Sequence, residues 1–189
     1  MNGARIFVLE IRLLVVEPTI TRVILVPETI TFWGLHLAIQ DAMGWEGAYT
    51  HIFQVREGVY LGIPIHLEKF EAGWKVPISA YLSVPGHKVT YVYNYTYGWN
   101  HTVELKEIQP MVFGPTYPIC QEGAGACPPD DSGGPHGYTY MRDLLSYPDD
   151  PRHDEAVKLL GYDFNPQYFD PKAVRFRDNE QELANLGIS

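Results

Sequence analysis

The side chains that could do chemistry are concentrated between residues 101 and 138 of the 189-residue chain. They are two thiols, two imidazoles and two adjacent carboxylates: Cys120, Cys127, His101, His136, Asp130 and Asp131. Thiolate and imidazole groups are the common ligands of zinc, which binds four of them in structural sites. Cys120, Cys127 and His136 are therefore a candidate zinc site, with His101 as the candidate fourth ligand.

The spacing of the thiols argues against this metal site. Six residues separate Cys120 from Cys127, whereas zinc knuckles place about two to four residues between their cysteines. The alternative is a glycine-rich loop with two incidental thiols, which stay reduced in the cytoplasm. The sequence leaves both interpretations open.

The same loop suggests acid–base chemistry. Asp130 and Asp131, with His101 on the preceding hairpin, are candidate catalytic residues because they could supply a general acid and a general base. The alternative is turn formation, since Asp and Ser side chains accept hydrogen bonds from nearby backbone N–H groups and Gly adopts positive φ. Asp130, Asp131, Ser132 and Gly133 have the composition of such a turn.

Tyrosine recurs at every second position from 91 to 97. This period predicts a strand over 89–97 with four tyrosines on one face, a turn at 98–100 and a returning strand over 101–108. The aromatic ladder is either a packed sheet face or a platform on which a ligand stacks. In the second interpretation the predicted binding residues are Tyr91, Tyr93, Tyr95, Trp99 and Tyr138.

Two strand pairs are predicted in the N-terminal half. Apolar residues alternate with polar ones over 5–16, and 20–26 is the predicted return strand. Strands over 50–55 and 59–65 form the second pair. His51 alternates with Ile52 on one of these strands and is expected to face solvent.

One helix, over 31–43, is predicted between the two pairs. It carries an apolar stripe with helical spacing: Phe32, Leu35, Ile39 and Met43. Gly44 suits a left-handed helix end, and Trp45 is expected to fill the core there. His36, at the edge of the stripe, is expected to be a packed or hydrogen-bonded structural side chain.

The rest of the chain is irregular and then helical. Residues 109–135 are rich in Gly and Pro and lack periodicity, which predicts a long loop of a kind that often carries function. In the C-terminal third, prolines at 151, 166 and 171 each follow Asp or Asn, a pattern typical of helix starts.

Composition indicates a single globular domain over 1–189, with 46% apolar and 20% charged residues. The net charge is −9, and 13 of the 23 acidic residues lie after residue 110. Such a charge disfavours bulk nucleic-acid binding, so a small molecule or a protein is the expected partner. No apolar run approaches the roughly 20 residues of a membrane span, and no signal peptide is recognisable, so a cytoplasmic location is expected.

Four segments of the chain, 18–27, 35–45, 91–101 and 127–138, carry motifs that occur together in one family. They resemble the second-strand motif, the helix signature, the aromatic hairpin and the Pro-Pro-acid-acid-Cys-Gly-Gly loop of the plasmid pRiA4b ORF-3-like proteins. Residues 161–169 resemble that family's tail. The matching motifs occur in the same order as in the family, from about residue 6 to residue 186. Any one of these short motifs alone would be weak evidence, but the ordered set is specific.

The resemblance implies membership of a family associated with plasmids and mobile elements, but it implies no defined activity. This chain departs from the family in having Asn94 where Asp is usual and Ser132 where a third Cys is usual. If relatives use those groups to bind a metal, this chain has lost several of the ligands.

The sequence thus predicts an α+β fold with an N-terminal hairpin–helix–hairpin unit in a β-grasp-like order, an aromatic hairpin and a helical C-terminal third. The candidate site is the groove between the 89–105 hairpin and the 120–138 loop, because pockets combine aromatic walls with a few polar groups. The favoured function is a small-molecule or protein binding module. The alternative is a metal-dependent or acid–base hydrolase that uses the same groove.

Overall fold

A computed structural model describes residues 3–62 and 70–187 and has mixed α+β architecture, as predicted. The strands of the described residues are β1 (Arg5–Leu13), β2 (Ile20–Pro27), β3 (His51–Arg56), β4 (Val59–Gly62), β5 (Phe70–Ala72), β6 (Lys88–Tyr93), β7 (Trp99–Pro110) and β8 (Ile119–Ala124). The α-helices are α1 (Phe32–Met43), α2 (Gly134–Leu144), α3 (His153–Leu160) and α4 (Asn179–Asn185).

All these strands belong to one sheet, in the order β5-β4-β3-β6-β7-β1-β2-β8. The β4–β5 pair is parallel, and the other neighbouring strands are antiparallel. The pairing of β1 with β7 joins the N-terminal hairpin to the aromatic hairpin, and it places Leu13 opposite His101. The centre of the sheet therefore combines elements that lie far apart in the sequence.

Strand alternation decides which side chains enter the core. On β1, Phe7, Leu9 and Ile11 are fully buried, as period two predicts for one face of a strand. On β7, the side chains of Trp99 and Val103 are also fully buried. These residues and one side of α1 belong to a single apolar cluster.

Helix α1 has the predicted start and end. The side chain of Thr31 accepts a hydrogen bond from the backbone N–H of Gly34 at 3.2 Å, which caps the first turn. Gly44 ends the helix with φ of +81°, a conformation that glycine adopts at little cost. Every residue of the helix except Asp41 is buried, so α1 is covered on more than the one side that its predicted stripe implied.

The aromatic strand is shorter than predicted. It ends at Tyr93, because Asn94 adopts φ of +55° and starts a turn. Tyr95 and Tyr97 therefore leave the strand, and each is 39% exposed. The prediction that four tyrosines share one sheet face is wrong for these two.

The predicted 109–135 loop contains a strand. Residues 119–124 form β8, which pairs with β2 at the edge of the sheet. Local propensity does not predict this strand, because Cys120, Gly123 and Ala124 are not strong strand formers. Gly123 is required here: a Cβ at this position would lie 2.6 Å from the ring of Phe169 and 2.7 Å from the carbonyl oxygen of Thr21.

Three further predictions differ in extent. The first strand ends at Leu13 rather than at residue 16, and β4 ends at Gly62, with 63–65 outside the described residues. No helix follows Asn165 and Pro166, which lie in a turn where Pro166 accepts a hydrogen bond from the N–H of Ala126. The β-grasp-like order, the helical C-terminal third and the single domain stay predictions. None of the helices in 3–62 and 70–187 has the length and apolar character needed to cross a bilayer.

Candidate functional site

The loop that precedes α2 lies over the end of the aromatic hairpin. The indole N–H of Trp45 donates to the carbonyl of Pro128 at 2.8 Å, and that of Trp99 donates to the carbonyl of Asp130 at 3.0 Å. The hydroxyl of Tyr93 donates to Oδ2 of Asp130 at 2.9 Å. We call these five residues the hairpin–loop cluster.

Glycines allow the loop to approach so closely. Gly134 has φ of +75°, and a Cβ there would lie 2.4 Å from the carbonyl oxygen of Tyr97. A Cβ on Gly137 would lie 2.2 Å from the carbonyl oxygen of Ser132. The Gly-rich composition of the loop therefore serves backbone contacts with the hairpin and within the loop itself.

The predicted groove is filled by its own side chains. Of the predicted binding residues, Tyr91, Tyr93, Trp99 and Tyr138 have no exposed surface. Burial raises the pKa of Tyr93 above its usual value and that of Tyr95 to about 12, so both phenols are neutral. Ligand stacking on these residues stays a prediction, and in this structure only Tyr95 among them has exposed surface, 39% of its total.

A buried polar network lies between α1 and the same part of the sheet. The rings of His36 and His51 stack with centroids 3.5 Å apart and planes 6° apart. The side-chain amide of Gln40 donates to the hydroxyl of Tyr91 at 2.8 Å, and Nδ1 of His36 lies 2.8 Å from that hydroxyl. The hydroxyl of Tyr91 therefore bridges the side chains of Gln40 and His36.

His51 corrects one prediction. It is only 3% exposed, because α1 covers the strand face that was expected to be in solvent. Burial lowers the pKa of His51 to about 3, that of His101 to about 4 and that of His36 well below its usual value. All three imidazoles are therefore neutral at pH 7.

The candidate catalytic residues differ in access. His101 is fully buried, with Nδ1 3.1 Å from the carbonyl of Trp99. Asp130 is half-buried and bonded to Tyr93, whereas Asp131 is exposed. Neither aspartate has a recorded contact with His101 among the described residues, so the acid–base role stays a prediction.

The two cysteines lie near Arg22 rather than in a ligand set. Arg22 is 1% exposed, donates to the carbonyls of Ala42 and Ala124, and stacks on the ring of Phe169 at 3.6 Å. Burial raises the pKa of Cys120 to about 11 and that of Cys127 to about 12.

Thiols with such pKa values are protonated at neutral pH in the metal-free protein. His136, the third candidate ligand, is exposed on α2. Within 3–62 and 70–187, no three His, Cys, Asp or Glu side chains are arranged to hold a metal ion. The zinc site therefore gains no support from the geometry.

A second region, remote from these predictions, contains a half-open cavity. A cavity of about 870 Å³ separates the outer side of α1 from the C-terminal segment 174–183. We call it the α1–tail cavity. Aromatic and apolar side chains from four parts of the chain line it, among them Trp33, Leu37, Trp74, Tyr117 and Phe176.

An ion pair holds the two walls of this cavity together. Asp41 on α1 accepts hydrogen bonds from the backbone N–H of Arg177 at 2.8 Å and from its Nε at 2.6 Å. Nη1 of Arg177 donates to the carbonyl of Glu46 at 3.1 Å. The side chain of Asp41 is 7% exposed, so these bonds are sheltered from water, which strengthens them relative to a surface pair.

Side chains crowd Gly34 at the other end of the cavity. A Cβ on Gly34, in the first turn of α1, would lie 2.7 Å from the side-chain nitrogen of Asn179 and 2.6 Å from the side chain of Ile30. The start of α4 therefore lies close to the start of α1. The tail is thus positioned at both ends of the helix.

Two hydrogen-bond donors at the cavity lack partners. Nε1 of Trp33 and Nη2 of Arg177 are buried and bond to no group in the described residues. Both residues line the cavity, and Trp33 is only 7% exposed. Both nitrogen atoms are enclosed by protein and have no accessible surface, so neither faces the open space of the cavity.

Sequence reasoning missed this region, although α1 contained a signal. Trp33 and Leu37 lie outside the stripe of Phe32, Leu35 and Ile39, so the helix is apolar around most of its circumference. A helix of that kind is covered on both sides. The covering segment could not be found, because the 174–183 sequence has no matching periodicity.

Comparison with known proteins places the chain in a family. The profile described as "Plasmid pRiA4b ORF-3-like protein" matches residues 5–173. The chain belongs to this family. The uncharacterized protein y4hQ of Sinorhizobium fredii is 33% identical over 149 residues, which are 77% of this chain and 76% of that protein.

The fold of this pRiA4b ORF-3-like protein also occurs in a solved structure. The crystal structure of MM3350, a protein of unknown function from Methanosarcina mazei Go1, is 34% identical and has a TM-score of 0.83. The similarity covers 93% of this chain and all of that one. The family match includes α1 and ends at residue 173, so it contains one wall of the α1–tail cavity and not the 174–183 wall.

Proposed function

We propose that this pRiA4b ORF-3-like protein is a small-molecule binding module whose ligand occupies the α1–tail cavity. The observation that carries the proposal is a half-open cavity of about 870 Å³ that is lined by aromatic and apolar side chains and by a few charged ones. Ligand pockets typically enclose roughly 300–1,000 Å³, are mostly apolar and contain a few polar groups. The α1–tail cavity meets each of these criteria.

The hairpin–loop cluster is the weaker candidate for this function. Its indole and phenol donors are already bonded to Pro128 and Asp130. A ligand that stacked on Tyr93 or Trp99 would have to displace the loop and break those bonds. A hydrolase at this position would have Asp131 and His136 as its exposed groups, and it stays the alternative prediction.

The proposal is tested by blocking the cavity. Thr29 lines the cavity and is exposed, so Thr29→Trp should reduce the space with little cost to folding. A library of uncharged and charged small aromatic compounds is screened by thermal shift against the wild-type protein. We expect at least one compound to raise the wild-type Tm and to have a smaller effect on Thr29→Trp.

Val84→Trp is the matched control, because Val84 is 53% exposed and does not line the cavity. This variant should respond to each compound as the wild type does. The proposal fails if no compound binds, or if the binding compounds stabilise Thr29→Trp as much as they stabilise Val84→Trp.

A further inference from the structure

The tail, residues 174–187, is tied to the body of the protein through one side chain. The backbone N–H and Nε of Arg177 donate to the carboxylate of Asp41, and its Nη1 donates to the carbonyl of Glu46. Within 3–62 and 70–187, no other hydrogen bond or ion pair links the tail to a residue before Pro171. The polar attachment of this cavity wall therefore depends on Arg177.

Packing adds little to this attachment. No residue of the tail is buried as a whole, and α4, which is seven residues long, buries none of its side chains. A helix of this length is not stable by itself in water. Of the apolar side chains that the structure describes in the tail, Phe176 packs against the apolar cluster of the sheet and α1. Segments with few buried contacts open at a low free-energy cost.

The chain just before the tail is held more firmly. The ring of Phe169 packs on the guanidinium of Arg22 at 3.6 Å, and Arg22 is only 1% exposed. A short 3-10 turn over Pro171–Ala173 follows, and the chain becomes extended at Val174. Hinges are typically a few residues at the end of such an element. The tail can thus rotate about the end of this turn while Phe169 stays in place.

The closed position of the tail carries a cost of its own. Nη2 of Arg177 has no accessible surface and no partner among the described residues, and a buried donor without an acceptor costs free energy. Opening the tail exposes this nitrogen to water, which offsets part of the loss of the Asp41 bonds. The free-energy difference between the open and closed positions is therefore smaller than the three bonds of Arg177 alone would give.

We propose that the tail is a hinged lid of the α1–tail cavity, held closed by Asp41 and Arg177, and that its opening controls ligand exchange. In the closed position the tail is one wall of the cavity. Leu37, on the opposite wall, is only 4% exposed. Opening the lid exposes that side of α1. This inference rests on the proposed function, since it names the regulation of the same cavity.

Leu37→Cys places a reporter thiol on the α1 wall, and its alkylation by iodoacetamide is followed by mass spectrometry. The half-buried Cys120 and Cys127 are internal references in the same molecule. In this background we expect Asp41→Asn to raise the rate at position 37 by at least about tenfold, because the charge that accepts two hydrogen bonds is lost. Both reference thiols should react as before. An unchanged rate at position 37, or an equal increase at all three thiols, would overturn the lid.

Asp150→Asn is the matched control. Asp150 accepts hydrogen bonds from the backbone N–H and Nε of Arg152 at 2.9 and 3.1 Å, the same pattern that Asp41 makes with Arg177. It does not line the cavity. Asp150→Asn should therefore leave the alkylation rate of Leu37→Cys unchanged, and an increase equal to that of Asp41→Asn would contradict the assignment of the Asp41 pair to the lid.

Ligand exchange is measured without the reporter thiol. Nile red, an uncharged dye that fluoresces in apolar surroundings, is mixed with the wild type and with Asp41→Asn in a stopped-flow instrument. A lid that opens more often admits and releases the dye alike, so we expect the association and dissociation rates to rise by a similar factor. A wall that only contacts the dye would change the dissociation rate alone, and that result would overturn the proposal.

The outcomes distinguish this inference from the proposed function. If Thr29→Trp weakens dye binding while Asp41→Asn changes neither the alkylation rate nor the association rate, the binding function stands and the lid is wrong. If alkylation accelerates as expected but neither Nile red nor any screened compound responds to Thr29→Trp, the binding function fails. Control of ligand exchange then fails with it, and only the hinged opening of the tail stands.

Discussion

The hairpin–loop cluster and the α1–tail cavity are both rich in aromatic side chains, but they differ in how their donors are satisfied. In the cluster, Trp45, Tyr93 and Trp99 each donate to the loop that covers them. At the cavity, the donors of Trp33 and Arg177 have no partner in the described residues, and other parts of these two side chains line open space.

The difference shows that aromatic content alone does not identify a binding site. Nε2 of His101 and the hydroxyl of Tyr138 are also unpartnered among the described residues, but both residues are fully buried beside or beneath the loop. Open space bounded by aromatic and apolar side chains is the better indication of a site, and it occurs at the α1–tail cavity.

The largest expected effect concerns the buried histidines near the cluster. The folded-state pKa values of His36, His51 and His101 are lowered, so the unfolded chain takes up protons first as pH falls through about 6.5. Their contribution to stability is fully present above that pH and is lost toward the folded-state values of about 3 for His51 and about 4 for His101. Each neutral histidine contributes a slope of about 1.4 kcal/mol per pH unit.

We therefore expect the free energy of unfolding to fall by several kcal/mol between pH 7 and pH 5, as measured by urea denaturation. His51→Phe should reduce the slope of unfolding free energy against pH by the contribution of one histidine, about 1.4 kcal/mol per pH unit. His136→Gln changes an exposed histidine and should leave the slope as it is. Equal slopes in the two variants would contradict the neutral, buried state of His51.

A smaller effect is expected from opening the contact between loop and hairpin. Gly134→Ala places a Cβ 2.4 Å from the carbonyl oxygen of Tyr97 at a positive φ, so it should cost about 3 kcal/mol in unfolding free energy. Gly44 also has positive φ but has open space around it, so Gly44→Ala should cost only about 1 kcal/mol. Denaturant titrations of both variants measure the difference, and equal losses would show that the loop adjusts freely.

The smallest expected effect concerns the attachment of the tail. Asp41→Asn removes the charge that accepts two hydrogen bonds from Arg177 and should cost about 2 kcal/mol. Hydrogen exchange in 174–187 should accelerate, while that of β1 stays slow. Glu28→Gln, which weakens the exposed pair with Arg5, should cost less than about 1 kcal/mol. Unchanged exchange in the tail of Asp41→Asn would show that other contacts hold this wall.

The sequence predicted those strands and helices whose residue pattern matches the face that is buried. Alternation at Phe7, Leu9 and Ile11 predicted the first strand, and Thr31 and Gly44 marked the ends of the helix. Where one face of an element packs on a core, period and capping are enough to predict it. The family resemblance was confirmed for the same reason, since its motifs lie on these regular elements and on the loop before α2.

The sequence could not predict partners that depend on contacts between distant segments. β8 forms because β2 offers it an edge, and His51 is buried because α1 covers its strand. The local sequence patterns of residues 119–124 and of residues 51–56 predict neither contact. The zinc and acid–base hypotheses grouped residues by closeness in sequence, whereas His136 is exposed, the two cysteines are half-buried, and no three His, Cys, Asp or Glu side chains of the described residues are arranged to hold a metal ion.

The amino-acid sequence by itself determined the α+β class, the main strands, helix α1 and the family of this protein, because each depends on short-range periodicity and on motifs. Only the tertiary structure decided that the loop before α2 covers the end of the aromatic hairpin and that a cavity lies between α1 and the tail. The physical reason is that Asp41 and Arg177, 136 positions apart, meet only once the chain has folded. The open space of the cavity exists only between such segments.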